Sequence, residues 1–194
     1  MFLDDNLKSQ LKQYLNLLES EIVLKVSIAS DIASLELQAL IDEISAASEK
    51  IKVEYVSLPR TPSFSISRLG ENTGITFSGA PLGHEFSSLV LALLQASGRP
   101  PKEDPEIIDR IRKLKGEYRF ETFVSLSCHN CPDVVQSLNL WYRKATSNKI
   151  LGICSFLRLR IVCFNGGWVW VIKLPLKFLI FFIVQNIDFV NFVI

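Results

Sequence analysis

Two stretches of this chain share one layout. Residues 3–28 read LDDNLKSQLKQYLNLLESEIVLKVSI, and residues 104–125 read DPEIIDRIRKLKGEYRFETFVS. Each sets an Asp ahead of a segment with a helical apolar period and closes on a run of branched and aromatic residues. In the first, Leu3, Leu7, Leu11, Leu15 and Leu18 recur on one helix face, Asp4 stands as N-cap, and residues 21–28 read as a strand. In the second, Asp104 is the N-cap, Pro105 takes the first helical position, Gly116 stops the helix, and residues 117–125 are the strand. The offset is roughly 96 residues, and a helix-then-strand unit repeated at such a distance restricts the chain to a duplicated α/β architecture.

Between the two stretches the first unit completes itself. LELQALIDEISAAS (35–48) places Leu37, Leu40, Ile41 and Ile44 on one helical face. KIKVEYVSL (50–58) alternates as a strand, and TPSFSIS (61–67) and GITFSG (74–79) are short strands around the turn residues GENTG. PLGHEFSSLVLALLQASG (81–98) is a helix with Phe86, Leu89, Val90, Leu93 and Leu94 inward and Gly98 at its end. A strand, helix and strand followed by two strands and a helix imply a parallel crossover and then a hairpin. That order is the thioredoxin arrangement, and Pro62 stands where such folds carry a cis-proline. The expected fold class is therefore α/β, with tandem thioredoxin-like folds. The first spans 1–100, a GRPPKED linker follows, and the second starts at 104–140.

The chain has 194 residues, enough for one or two small domains with a real core. With 21 Lys and Arg against 20 Asp and Glu, net charge gives no reason to expect a nucleic-acid partner. The N-terminus lacks a basic region followed by an apolar run, so a cytoplasmic location is expected. Four cysteines in that setting argue against a structural disulfide framework.

Two of those cysteines lie in SCHNCPDVVQ (127–136), just past the second strand. Cys128 is expected to open a helix, where free N–H groups and the helix dipole stabilise a thiolate and lower the pKa below that of a free thiol. His129 and Asn130 offer further help, and Pro132 stiffens the turn. Two intervening residues leave the sulfurs of Cys128 and Cys131 within disulfide reach, with Cys128 attacking a partner disulfide and Cys131 resolving it. Half of a zinc site is another reading, although Cys154 and Cys163 bring no nearby histidine. Two buried structural thiols are a third. On the repeat offset, the matching place in the first unit is DIAS (31–34), which has no cysteine, so that copy is a scaffold or docking surface.

PLGHEFSSLVLALLQASGRP and FETFVSLSCHNCPDVVQSLNL resemble the N-terminal domain of the flavoprotein subunit of bacterial alkyl hydroperoxide reductase, from about residue 3 to Leu140. The resemblance implies a disulfide reductase that relays electrons from a flavoprotein domain, with FAD as relay and NADH as source, to a peroxiredoxin that reduces alkyl hydroperoxides. It also implies a homodimer. Cys128 is then the attacking thiol, Cys131 the resolving one, and Glu85, in the matching GHEF, a proton-transfer group. A first-turn helix acid is the plainer reading of Glu85. His84 is a surface or packing residue rather than a ligand. No G-x-G-x-x-G occurs, so no cofactor is expected in this chain itself.

The pattern breaks at about Trp141. Residues 141–194 hold seven Lys and Arg against one acid, Asp188, together with all three tryptophans and seven of the thirteen phenylalanines. The second fold is accordingly expected to be incomplete, with 141–194 a non-family apolar tail produced by out-of-frame translation or truncation. Strands diverged from the family are an alternative source of the same residues. A membrane segment is not expected: 178–194 carries Gln185, Asn186, Asp188 and Asn191, and a spanning helix needs about 20 mostly apolar residues. Pro175 is the one later proline that could replace a second cis-proline. Two rival readings of function follow, a non-functional fragment and a membrane-tethered thioredoxin-like protein.

Overall fold

The structure, a computed structural model, describes residues 3–68, 70–113, 118–144, 149–155, 161–163 and 167–169. Helix α1 (Asp5–Leu15) begins where expected, because the Asp4 carboxylate accepts the Leu7 N–H at 2.7 Å. It buries Leu11 and Leu15 against the core. Strand β1 (Ile22–Ser27) follows, then α2 (Ile32–Ala47), β2 (Ile51–Tyr55), β3 (Ser63–Arg68) and β4 (Glu71–Ser78). A 3-10 turn at Gly83–Glu85 leads into α3 (Phe86–Ala96). The Thr61–Pro62 peptide is cis. Gly98 ends α3 with φ +112, the left-handed backbone that favours glycine.

Helix α2 starts earlier than the apolar period suggests. Asp31 caps it by accepting the Ser34 N–H and the Ser34 hydroxyl, both at 2.9 Å, while Ser34 Oγ accepts the Ala29 N–H at 2.9 Å. Ser34 is fully buried. Where the repeat calls for a dithiol, the first unit therefore has a closed hydrogen-bonded cap.

The second unit repeats the first. Helix α4 (Pro105–Arg112) is capped by Asp104, whose carboxylate accepts the Glu106 N–H at 2.9 Å. Then come β5 (Tyr118–Val124), α5 (Cys131–Lys144), β6 (Lys149–Ser155), β7 (Ile161–Cys163) and β8 (Gly167–Val169). The strand order is β2-β1-β3-β4-β6-β5-β7-β8. β1 pairs parallel with β2 and antiparallel with β3, as β5 pairs parallel with β6 and antiparallel with β7. A parallel β4–β6 ladder, with Ile75 opposite Leu151, joins the halves into one sheet.

Part of the 141–194 segment, expected as a non-family apolar tail or as diverged strands, is paired into this sheet. Stretches of the 141–194 segment supply β6, β7 and β8. The physical reason is that β5 offers two open edges, and the branched and aromatic residues beyond 148 are suited to pairing with them. Pro175 and residues 178–194 lie outside the described residues, as does Gly116. Among the described residues no helix is long and apolar enough to cross a membrane.

Among the described residues, two aromatic rings anchor the core of the first unit. Phe64 and Phe77 face each other across the β3–β4 ladder with ring centroids 5.3 Å apart, and both are fully buried. Such a pair adds about 0.5–1.5 kcal/mol beyond its area. Helix α3 packs against both α1 and α5, so its buried residues lie between the halves. That placement carries the GHEF segment of the first unit to the dithiol of the second.

Candidate dithiol site

Cys128 does not open α5, as the sequence suggested. It lies in the turn before it, its own N–H donating to the Ser125 carbonyl at 2.9 Å, and α5 begins at Cys131. His129 and Asn130 fill the intervening turn, and Pro132 is the second helical residue, where no N–H is missed. Both cysteines are free thiols. Cys128 is partly exposed and Cys131 is buried at 2 % exposure. The two thiols thus differ in access before any charge is considered.

They differ in chemistry as well. Burial pushes the Cys131 thiol up to about 12, with further upward contributions from the Cys128 side chain and the charge of Glu85, while the Ser125 backbone acts the other way. Glu85 is 0 % exposed. Burial raises its carboxyl as well, and the Ser88 side chain opposes this only in part. Neither carboxyl oxygen has a hydrogen-bond partner of good geometry. An unpartnered buried carboxyl is costly to keep in its charged form, and this one sits within electrostatic reach of a buried thiol.

The first unit holds this arrangement through its 3-10 turn. The His84 N–H donates to the Leu126 carbonyl at 3.1 Å. Gly83 has φ +56, and a Cβ there would stand 2.6 Å from the Leu126 oxygen, so glycine is needed for both conformation and space. The His84 and His129 rings lie 4.0 Å apart, tilted by 52°. Gln136 on α5 reaches the Ser87 and Ser88 hydroxyls at 3.4 Å. His84 is exposed, and its ring lies against that of the residue that follows Cys128.

Glu85, Cys128 and Cys131 are therefore brought together, although Glu85 is far from the cysteines in sequence. Sequence reasoning missed the Leu126 carbonyl, the Gly83 contact and the histidine pair. GHEF and CHNC each display a histidine, but nothing in either motif says that the two meet. Among the described residues no group of three or more His, Cys, Asp and Glu side chains could hold a metal ion.

A flavin or nicotinamide dinucleotide does not fit the strand-to-helix turns described. At the β1–α2 turn the helix start is taken by the Asp31 carboxylate, whose charge would repel a pyrophosphate. At the β5–α5 turn the place is taken by the dithiol, without the glycines that let a backbone approach phosphates.

Fold and site together define a thioredoxin-like α/β protein with a C-x-x-C pair at the β5–α5 turn. No family model matches the chain. The chain is homologous to the N-terminal region of the AhpF family of alkyl hydroperoxide reductases. It is 61% identical over 140 residues to the NADH dehydrogenase of Bacillus subtilis (strain 168), covering 72% of this chain and 28% of the relative. It is 56% identical over 138 residues to an alkyl hydroperoxide reductase subunit of Staphylococcus aureus (strain NCTC 8325 / PS 47), covering 71% and 27%. The chain thus spans little more than a quarter of the length of these relatives. Among solved structures, the NTD_N/C domain of the Enterococcus faecalis (V583) alkylhydroperoxide reductase AhpF aligns with a TM-score of 0.80 and 24% identity, covering 92% of this chain and 98% of that one. A protein disulfide oxidoreductase from Aeropyrum pernix k1 aligns with a TM-score of 0.72 at 16% identity, covering 93% and 91%. The last two likenesses speak to the fold alone.

Proposed function

We propose that this chain is the dithiol relay of an alkyl hydroperoxide reductase system, passing electrons from an NADH-dependent FAD flavoprotein to a peroxiredoxin. The observation that carries the reading is the asymmetric pair: a partly exposed Cys128 beside a buried Cys131 that feels the charge of the buried Glu85 carboxyl.

The chemistry proceeds in two exchanges. The Cys128 thiolate attacks one sulfur of the partner disulfide, forming a mixed disulfide and releasing one partner thiolate. Cys131 then attacks the Cys128 sulfur as a thiolate, closing the Cys128–Cys131 disulfide and releasing the second partner thiolate, which takes up the proton that Cys131 gave up. Two electrons leave the dithiol and two protons accompany them. Cys131 needs a base to ionise, and Glu85 is the acceptor. Moving that proton neutralises the carboxylate whose charge opposes the thiolate, so a single transfer removes both obstacles. Flavin and nicotinamide chemistry belongs to a reductase domain outside the turns described, and that domain would reduce the closed disulfide again.

The test is a transfer assay on the whole chain. The dithiol is reduced with dithiothreitol, freed of reductant and mixed with an oxidised bacterial peroxiredoxin. Stoichiometric appearance of peroxiredoxin thiols supports the reading. No transfer, with the first unit still folded by circular dichroism, supports the second reading, a fragment without redox turnover. That reading draws on one observation: the likeness to the Bacillus subtilis relative covers only 72% of the chain. The out-of-frame origin proposed for the segment after residue 140 has its own test. Neither alternative frame of the DNA continuing the family sequence past Leu140 would remove it.

A further inference from the structure

We infer that His84, in the unit without cysteines, is a positioning residue for the dithiol of the other unit, acting through its ring contact with His129. The inference rests on the redox reading of Cys128 and Cys131 and adds a device to it.

The chain contains two histidines, and they lie against each other with centroids 4.0 Å apart. Both are exposed, so the contact is not a by-product of filling the core. His129 occupies the two-residue turn between the cysteines, and that turn must hold one geometry for the sulfurs to join. His84 is itself anchored: its N–H is bonded to Leu126, and the preceding Gly83 fits against the same carbonyl only for want of a Cβ. The first unit therefore grips the dithiol loop at two points, the Leu126 carbonyl on one side of Cys128 and the His129 ring on the other.

The consequence is entropic. Closing the disulfide requires the 128–131 turn to be ordered, and a turn already held by the ring contact has less freedom left to lose. The held turn raises the effective concentration of Cys131 at the Cys128 sulfur. It speeds the resolving exchange and favours the closed disulfide, while leaving the first attack by Cys128 on an outside disulfide untouched.

The test uses the full chain in glutathione redox buffers, with the Cys128–Cys131 peptide followed by mass. In that equilibrium the dithiol and glutathione disulfide give the protein disulfide and two glutathione thiols. His84→Ala should lower the equilibrium constant for closing the pair by about two- to tenfold, the range that an aromatic pair contact supports. It should slow resolution of the Cys128–glutathione mixed disulfide by a similar factor. The iodoacetamide rate at Cys128 should stay within about twofold. His84→Phe, which keeps a flat ring in place, should restore most of both losses. Unchanged closure in His84→Ala overturns the inference, and so does a His84→Phe variant as impaired as alanine. A wild-type chain that never closes the pair would instead overturn the redox reading beneath it, so the two failures are distinguishable.

Discussion

The carboxyl of Glu85, at the end of the 3-10 turn in the first unit, raises the energy of the Cys131 thiolate in the second. Each group is buried, and burial is the larger cause that makes each hard to ionise; the charge of Glu85 adds to it at Cys131. This pairing links a proton to an electron-transfer step, and four expectations follow from it and from the contacts that hold it.

Glu85→Gln should separate stability from transfer. The folded-state pKa of Glu85 is raised, so its stabilising effect is full below the unfolded value of about 4.3 and is lost as pH rises through the folded value. The native chain should therefore lose stability as pH rises from the unfolded value to the folded one and level off beyond it. Glu85→Gln should flatten the loss and leave the protein more stable at pH 7, by on the order of 1 kcal/mol, the cost of an unsatisfied buried group. Resolution of the mixed disulfide should slow by at least about a hundredfold, the lower range for a general base. Urea melts across pH 4 to 8 and stopped-flow resolution rates check the two halves.

The cysteines should behave as two different thiols. Burial pushes the Cys131 thiol up to about 12, so at pH 7 it is almost wholly protonated. In Cys128→Ser, alkylation of Cys131 should be slow and should rise with pH well past neutrality. In Cys131→Ser, the mixed disulfide with a partner should accumulate instead of resolving. Rapid neutral-pH alkylation of Cys131 in the folded Cys128→Ser chain would contradict the asymmetry on which the reading depends.

Gly83→Ala should loosen the hold of the first unit on the dithiol loop. The new Cβ would meet the Leu126 oxygen at 2.6 Å, and the backbone there has φ +56. A destabilisation of about 1–3 kcal/mol is expected for a non-glycine residue forced into that conformation and contact. The midpoint of denaturant unfolding reads the loss. Its companion is faster hydrogen exchange at the His84 N–H, which is bonded to Leu126.

Ser34→Ala tests the vestigial position of the first unit. Its hydroxyl receives the Ala29 N–H and donates to Asp31, and the residue is fully buried. Losing it should cost about 0.5–1.5 kcal/mol by removing the hydrogen bonds that tie Ala29 and Asp31 to the buried hydroxyl. Glutathione equilibrium at Cys128–Cys131 should be unchanged, because this cap belongs to the scaffold and not to the dithiol.

Much of the architecture was legible beforehand. The Asp4 and Asp104 caps, the Gly98 stop and the Phe64–Ser78 hairpin follow from local rules of capping, φ preference and alternation, which need no knowledge of distant residues. The true start of α2 was missed because its cap runs through a buried Ser34 that the apolar period does not mark. Strands β6 to β8 stood only as an alternative reading, because β-branched, aromatic sequence without caps or turn residues does not declare its partner. The open edges of β5 and β4 decided that.

The amino-acid sequence by itself determined the repeated helix-then-strand units, the confinement of C-x-x-C to the second of them, and the family to which the chain is related, since these depend on residues near one another. Only the tertiary structure decided that Cys128 precedes α5 instead of opening it, that Glu85 stands by Cys131, and that His84 meets His129. The reason is that burial and charge act through space. A carboxyl becomes hard to ionise, and a thiol waits for a base, only when packing of α3 against α5 removes water from between them.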